Sequence, residues 1–468
     1  MRSASRLRTA PALISLGLAC AFLSSPRGAR AAGNTPQDAA RRSSPGDLDV
    51  EVERHQLDNG LVVLLAPDRQ MPSVFVSMGF RAGALYEPPG RTGMAHLVEH
   101  LLATGTSSTS YAAEAERRGS RWFNATTSER VMTFDIGLPP EELRFGLWMM
   151  ADRIGARPRA LEPGLLERER EVVLVERGMR TIDRPFSVAD LAIDQRAFPE
   201  GHPLHAGVIG RPDHLRAVTE ADVDAFIASY LHASNAVLVV AGDFEPEPTL
   251  AWIEEELGTL PRGEVPERPR LEGPRRLKEL AAKELWSHQP RVSVLWRLPE
   301  LGVEQRTALE LGAMLMASYL DGAFGSRLSA RLLDLGTESI FRMDVVLPYD
   351  KPVAAARGEA EVFLRYLTAV DMPSTYYDAV RNLRDLFMMD QLATLRGRSR
   401  VLLELELEGE PVEHLSTVLG RQWSMQRHDV QHVAWKYLVV DGARMVFHAR
   451  PIEPRQPKLD WELREQSE

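Results

Sequence analysis

At 468 residues the chain is too long for one ordinary hydrophobic core, so two or more domains are expected. Hydrophobic residues make up 44% and charged residues 26%, a balance that excludes disordered and fibrous classes and fits a soluble globular protein. The formal net charge of −10 argues against nucleic acid or an anionic membrane as partner, and past the N-terminus no apolar run is long enough for an integral membrane span.

The chain opens with Arg2, Arg6 and Arg8, an almost wholly apolar stretch from Ala10 to Leu23, and the small-x-small tripeptide Ala29-Arg30-Ala31. This pattern predicts a signal peptide over residues 1–31 and export to the periplasm or beyond. Cys20 would permit a lipid anchor, but Gly17 stands three residues before it where a branched aliphatic is needed, and cleavage is the favoured reading. Cleavage after Ala31 removes the only cysteine, so the mature chain has no disulfide, and it takes the net charge from −10 to −15. Residues 32–48 are polar and small, and predict a disordered lead-in.

Order is expected from Asp49, with two strands flanking Asn59-Gly60 as a hairpin whose central residues both accept positive φ. A strand over Ser73 to Phe80 then leads to a helix carrying His96-Leu97-Val98-Glu99-His100. Residues four apart share a helix face, so both imidazoles can reach one metal, with Glu99 beside them to activate water. This is the reverse of the H-E-x-x-H order, with the same division of labour. A catalytic zinc needs a third protein ligand and an open position. The helical stretch from Pro163 to Met179 offers Glu167, Glu169, Glu171 and Glu176. Of these, Glu169 and Glu176 lie two turns apart on one face, so one can ligate while the other hydrogen-bonds a ligand histidine.

Helical periodicity returns over Glu220 to Leu231, followed by a buried strand from Ala236 to Ala241 and a turn at Gly242-Asp243. Residues 260–282 are rich in Pro, Arg and Glu and predict a linker. Beyond it the pattern repeats: Asp222-Val223 and Tyr230-Leu231 are echoed 207 positions later by Asp429-Val430 and Tyr437-Leu438, and Arg291 to Leu298 matches Ser73 to Phe80. The expected fold is α+β, with two homologous α/β sandwich halves, each a mixed, mostly antiparallel sheet with helices on one face, joined by a linker and enclosing a cleft. The boundaries are 49–259 for an N-terminal metal-bearing domain, 283–454 for a C-terminal inactive counterpart, and 455–468 for a tail.

With these motifs in hand, the chain resembles the pitrilysin/insulysin family of zinc peptidases, which includes mitochondrial processing peptidases and their bacterial relatives. The resemblance runs from about Asp49 to Pro451. It rests on Leu57-Asp58-Asn59-Gly60-Leu61, the H-x-x-E-H, Gly105-Thr106, Asn124-Ala125-Thr126-Thr127-Ser128, Glu169-Arg170 through Glu176, His202-Pro203, Gly210, Asn235 and Gly242-Asp243. It implies one Zn2+ per chain on His96, His100 and Glu176, with Glu169 as acidic companion beside the catalytic Glu99. It also implies that Asn124 and Ala125 line a strand to which a peptide substrate adds by backbone hydrogen bonds.

Two departures accompany the likeness. Gly119-Ser120 replaces a glycine pair, and the Arg and Tyr that the family carries in its second half to bind substrate are missing. Leu333 and Ile340 fall at their places, with Arg331 and Phe341 nearby. A second family subunit supplying that pair, or a homodimer, is therefore expected as partner. The alternative is a non-catalytic scaffold subunit on the same fold, as in the family's members within respiratory complexes, although those lose metal ligands that this chain keeps. His428 and His432 form a second pair at helical spacing but lack a following acidic helix, and are read as surface residues. His202 and His205 are read as structural, and Met149-Met150 and Met388-Met389 as core filler.

Overall fold

The structure, a computed structural model, describes residues 50–105, 110–155, 163–181, 185–267, 280–284, 287, 289–319, 326–348, 351–368, 372–410, 412, 415–440 and 444–451. The expected signal peptide with Cys20, the lead-in, Thr106, most of the linker and the tail lie outside the described residues. The first half comprises β1 (Glu53–Gln56), β2 (Val62–Pro67), β3 (Val74–Phe80), α1 (Met94–Thr104), α2 (Tyr111–Arg117), β4 (Trp122–Thr127), β5 (Met132–Leu138), α3 (Leu143–Gly155), α4 (Leu165–Thr181), α5 (Ser187–Ala197), α6 (Pro212–Ala217), α7 (Glu220–Tyr230), β6 (Ala236–Gly242) and α8 (Pro246–Leu257). The second comprises β7 (Leu280–Glu284), β8 (Arg291–Pro299), α9 (Val303–Tyr319), β9 (Arg327–Asp334), β10 (Glu338–Val346), α10 (Val353–Thr368), α11 (Ser374–Ala393), α12 (Leu395–Glu408), α13 (Leu415–Trp423), α14 (Arg427–Ala434) and β11 (Arg444–Pro451).

The two sheets share one plan. Their strand orders are β1-β2-β6-β3-β5-β4 and β7-β11-β8-β10-β9. In each, one pair is parallel (β2 with β6, β7 with β11) and the remaining pairs are antiparallel. Side-chain details repeat as well. Thr219 with Asp222 and Gln426 with Asp429 form capping boxes at corresponding helix starts. Ser77 donates to Asp135 between β3 and β5, and Ser293 donates to Asp344 between β8 and β10, both at 2.5 Å. The duplication expected from the 207-residue echo is therefore present in the backbone and in its polar pairs.

Each sheet packs most of its own helices on one face and takes a helix from the other half on the opposite face. Residues 74, 76, 78, 134 and 136 bury into the first core, beneath α1 and α3. The reverse face, with Phe75, Val237 and Val239, is covered by Leu395, Val401, Leu402 and Leu403 of α12. Gly79 makes room there: a Cβ would stand 2.9 Å from the Leu403 side chain. In return α5 sends Asp190 to Arg291 of β8 and Arg342 of β10, at 2.6 and 2.5 Å. The exchange holds the halves as one packed body.

Two local details differ from the sequence reading, and a third extends it. Gly60 has φ 92, and no non-Gly residue of this turn has positive φ. Asn59 instead uses its amide to donate to the carbonyls of Leu257 and Gly258 at the end of α8, at 2.8 and 3.2 Å, and accepts from Leu61 N–H at 3.1 Å. The stretch read as linker is partly built into the fold, since Pro261 and Arg262 carbonyls accept from Ala233 and Ser234, and β7 begins at Leu280. Leu333 and Ile340, at the places of the missing substrate-binding pair, are paired on adjacent strands and pack against the first half's core.

Candidate metal centre

The site is built on α1 and α4. Helix α1 starts where two glycine backbones abut: Gly93 has φ 90 and Gly210 φ 76, and a Cβ on Gly210 would lie 2.3 Å from the Thr92 carbonyl. The buried carboxylate of Glu87 caps this start, accepting from Gly93 and Ala95 N–H at 2.9 and 2.8 Å. An acid at a helix N-terminus satisfies orphan donors and meets the positive end of the dipole. Burial nonetheless pushes Glu87 well above the usual carboxylate range, against those two hydrogen bonds.

Helix α4 carries Glu169-Arg170 and Glu176-Arg177, the same doublet seven residues apart. The arginines point to one side, where Arg170 donates to the carbonyls of Leu215 and Val218 at 3.0 and 2.7 Å, and Arg177 to Gly210 at 2.9 Å. This grip sets the rotation of α4, so that the glutamates face α1. Oε2 of Glu176 then lies 3.5 Å from Nε2 of both His96 and His100. Oε2 of Glu169 meets the other nitrogen of His100, Nδ1, at 3.3 Å. The imidazoles stand edge to face with centroids 4.8 Å apart.

Among the described residues, His96, His100 and Glu176 are the one His/Cys/Asp/Glu group of three whose ligand atoms converge, all within 4.8 Å of one another. Oε2 of Glu176 is buried and has no hydrogen-bond partner, although two imidazole nitrogens point at it. Three electron-pair donors aimed at one place, one of them anionic, fit a divalent cation of the zinc type. Glu169 is placed to accept a hydrogen bond from His100 Nδ1–H, which would leave Nε2 to face that place. Arg180 touches the remaining oxygen of Glu176.

Burial governs the charges. His96 falls to about 3, chiefly through desolvation and then through the neighbouring His100. Burial also lowers His100, but the neighbouring carboxylates of Glu169 and Glu176 outweigh that and lift it to about 9. Glu99 rises to about 7 because it is buried, against the pull of His100 and of a hydrogen bond from Thr127.

Asn124 and Ala125 lie on β4, which ends the sheet and pairs only with β5 among the described strands. Their side chains take opposite faces. Phe123 and Ala125 pack against the core under α1, and Thr127, on the same side, donates to Glu99 Oε2 at 3.2 Å. Asn124 pairs across the strand with Asp135 on the other face. The sequence reading quoted Thr127 within a motif but gave it no role; its position two residues beyond Ala125 was the available signal.

The other histidines singled out in the sequence stay outside the group. His428 is exposed and paired with Asp429 at 3.2 Å, and His432 is exposed. His202 Nδ1 accepts from Leu204 N–H at 3.0 Å, and His205 Nδ1 lies 2.9 Å from the Phe198 carbonyl. Met149 and Met150 are buried as expected, with their sulfurs against the guanidinium of Arg153.

Comparison with known proteins gives two family matches. Residues 62–186 match the model described as Insulinase (Peptidase family M16), and residues 217–341 match the Peptidase M16 inactive domain. The first stretch contains the converging histidines and glutamate. The chain is 27% identical over 234 residues to the mitochondrial-processing peptidase subunit beta of Blastocladiella emersonii, a match covering 48% of each chain. It is 29% identical over 301 residues to an uncharacterised zinc protease of Mycobacterium bovis, covering 62% of this chain and 65% of that one. The matched stretches thus span about half to two thirds of these relatives. Among solved structures, a protease from Helicobacter pylori superposes with a TM-score of 0.78 at 20% identity, over 86% of this chain and 100% of its own. No helix among the described residues is long and apolar enough to cross a membrane.

Proposed function

The chain belongs to the insulinase (M16) family of peptidases, and from that footing we propose that it is an exported zinc metalloendopeptidase with its catalytic centre in the first half. The observation that carries this reading is the convergence of His96, His100 and Glu176 on one point, with Glu99 beside it. A zinc ion held by those three residues would lower the pKa of water toward about 7 and polarise a carbonyl. Glu99 takes the proton from water as it attacks the scissile carbonyl, and hands it to the leaving amine. Glu169 holds His100 in the tautomer that presents Nε2. The edge of β4 that is unpaired among the described strands, with Asn124 and Ala125, receives the peptide as an added strand.

The test is hydrolysis of a mixed peptide library by the full mature chain, zinc-loaded and after chelation. Cleavage that chelation abolishes and zinc restores is the expected result. Zinc-loaded protein that cleaves nothing, alone or with a second family subunit, would turn the assignment to the scaffold reading. That reading draws its support from the second match, to an inactive domain, and from the apolar Leu333 and Ile340. For the same reason the catalytic reading includes a partner, a second family subunit that supplies the substrate-binding pair.

Glu169→Gln is expected to weaken zinc binding by about 10- to 100-fold while the chain stays folded. Competition with a chromophoric chelator measures this directly, and an unchanged affinity would remove Glu169 from the centre.

A further inference from the structure

The last residue of β4 reaches the candidate base. Thr127 Oγ1 donates to Glu99 Oε2 at 3.2 Å, and among the described residues it is the one side-chain donor hydrogen-bonded to that carboxylate. Glu99 is 7% exposed, so little water is available to orient it. A buried carboxylate with few donors takes its direction from those it has. The neighbouring threonine differs: Thr126 Oγ1 spends its bond on Thr133, 2.7 Å away across the sheet.

The mount of Thr127 is stiff. The turn that follows closes with Ser128 N–H to the Val131 carbonyl at 2.8 Å. Ala84 and Leu85 N–H groups hold the carbonyls of Ser128 and Glu129 at 3.0 and 2.9 Å. Gly83 presses so near this turn that a Cβ would lie 2.5 Å from Arg130 N. From the second half, Asp334 grips Arg130 at 2.6 Å. A β-branched side chain on such a strand has few rotamers to choose from.

We propose that Thr127 is a positioning residue for the reaction: its hydroxyl aims the Glu99 carboxylate, and links the base to the edge strand on which the peptide docks. The role rests on the peptidase reading above. An added substrate strand would fix β4 further, and through Thr127 the base, so binding at the edge improves the aim of the proton acceptor. Misplacement of a reacting group by about an ångström can cost about 10²-fold in rate.

The experiment compares zinc-loaded full-length wild type, Thr127→Val and Thr127→Ser. Valine keeps the shape and removes the donor; serine restores it. The expected result is kcat lowered about 10- to 100-fold in Thr127→Val, with KM, zinc content and melting temperature close to wild type, and most of kcat recovered in Thr127→Ser. Equal kcat in Thr127→Val, a change in KM alone, or a serine variant no better than valine would overturn the assignment. Crystal structures of the zinc-loaded wild type and Thr127→Val give a readout that needs no turnover. A rotated or disordered Glu99 carboxylate in the variant supports the role, and an unmoved one defeats it. An inactive wild type would instead count against the peptidase reading.

Discussion

Glu99→Gln is expected to leave the chain folded and zinc-loaded while lowering peptide turnover by about 10²- to 10⁴-fold. The amide matches the carboxylate in shape, and His96, His100 and Glu176 are untouched, so the cation site keeps all its donors. What disappears is a group that can accept a proton. Thr127 can still donate to the amide oxygen, which keeps the variant's geometry close to that of wild type. Metal analysis beside steady-state kinetics checks both halves of the expectation. Unchanged turnover would remove Glu99 as the base, and lost zinc would mean that it serves the cation instead.

Asp344→Asn is expected to cost about 3–5 kcal/mol of stability, as when one partner of a buried ion pair is removed. Asp344 accepts from Ser293 at 2.5 Å and from Arg342 Nε and Nη2 at 3.0 and 2.9 Å. The side chains of Arg342 and Arg291 are only 7% and 6% exposed, and both also reach Asp190 of the other half. Neutralising Asp344 leaves two buried cations sharing one carboxylate. Burial alone would raise the pKa of Asp344, but Arg342 and Arg291 outweigh it and hold it at about 2. A depressed acid stabilises the fold above its ordinary value, near 3.8, and loses that contribution as pH falls through about 2. Wild type and variant should therefore differ most at neutral pH and converge in strong acid. Denaturant melts across that range measure the gap, and coincident curves at neutral pH would show that the network does not brace the halves.

How far the sequence could be read depended on the distance over which each feature is decided. Two histidines four apart and two glutamates seven apart announce shared helix faces, because helical periodicity is local. Which glutamate meets which nitrogen was not readable from spacing. It follows from the rotation of α4, set by Arg170 and Arg177 gripping carbonyls at Gly210, Leu215 and Val218. Asn59 obeyed a partner nearly 200 residues away, the end of α8, instead of the local rule for Asn-Gly. The repeat was visible as a 207-residue echo of apolar and acidic positions. The Ser–Asp pairs that mark it were not, since each looks like a polar interruption of an apolar strand until both strands are paired. An amphipathic helix declares that one face is buried but not what buries it. The crossing of α5 and α12 between the halves was therefore hidden.

That crossing has an architectural meaning. Helices lent reciprocally, between two units of the same strand order, are the pattern of a swapped two-fold dimer written into one polypeptide. Neither unit is then self-sufficient. Cut apart between Leu260 and Leu280, the first would bare the apolar strip now beneath Leu402 and Leu403, and the second would strand Arg291 and Arg342 without Asp190. The molecule is built as a fused pair, and the unit that carries His96, His100 and Glu176 leans on a sibling that has no such group of its own among the described residues.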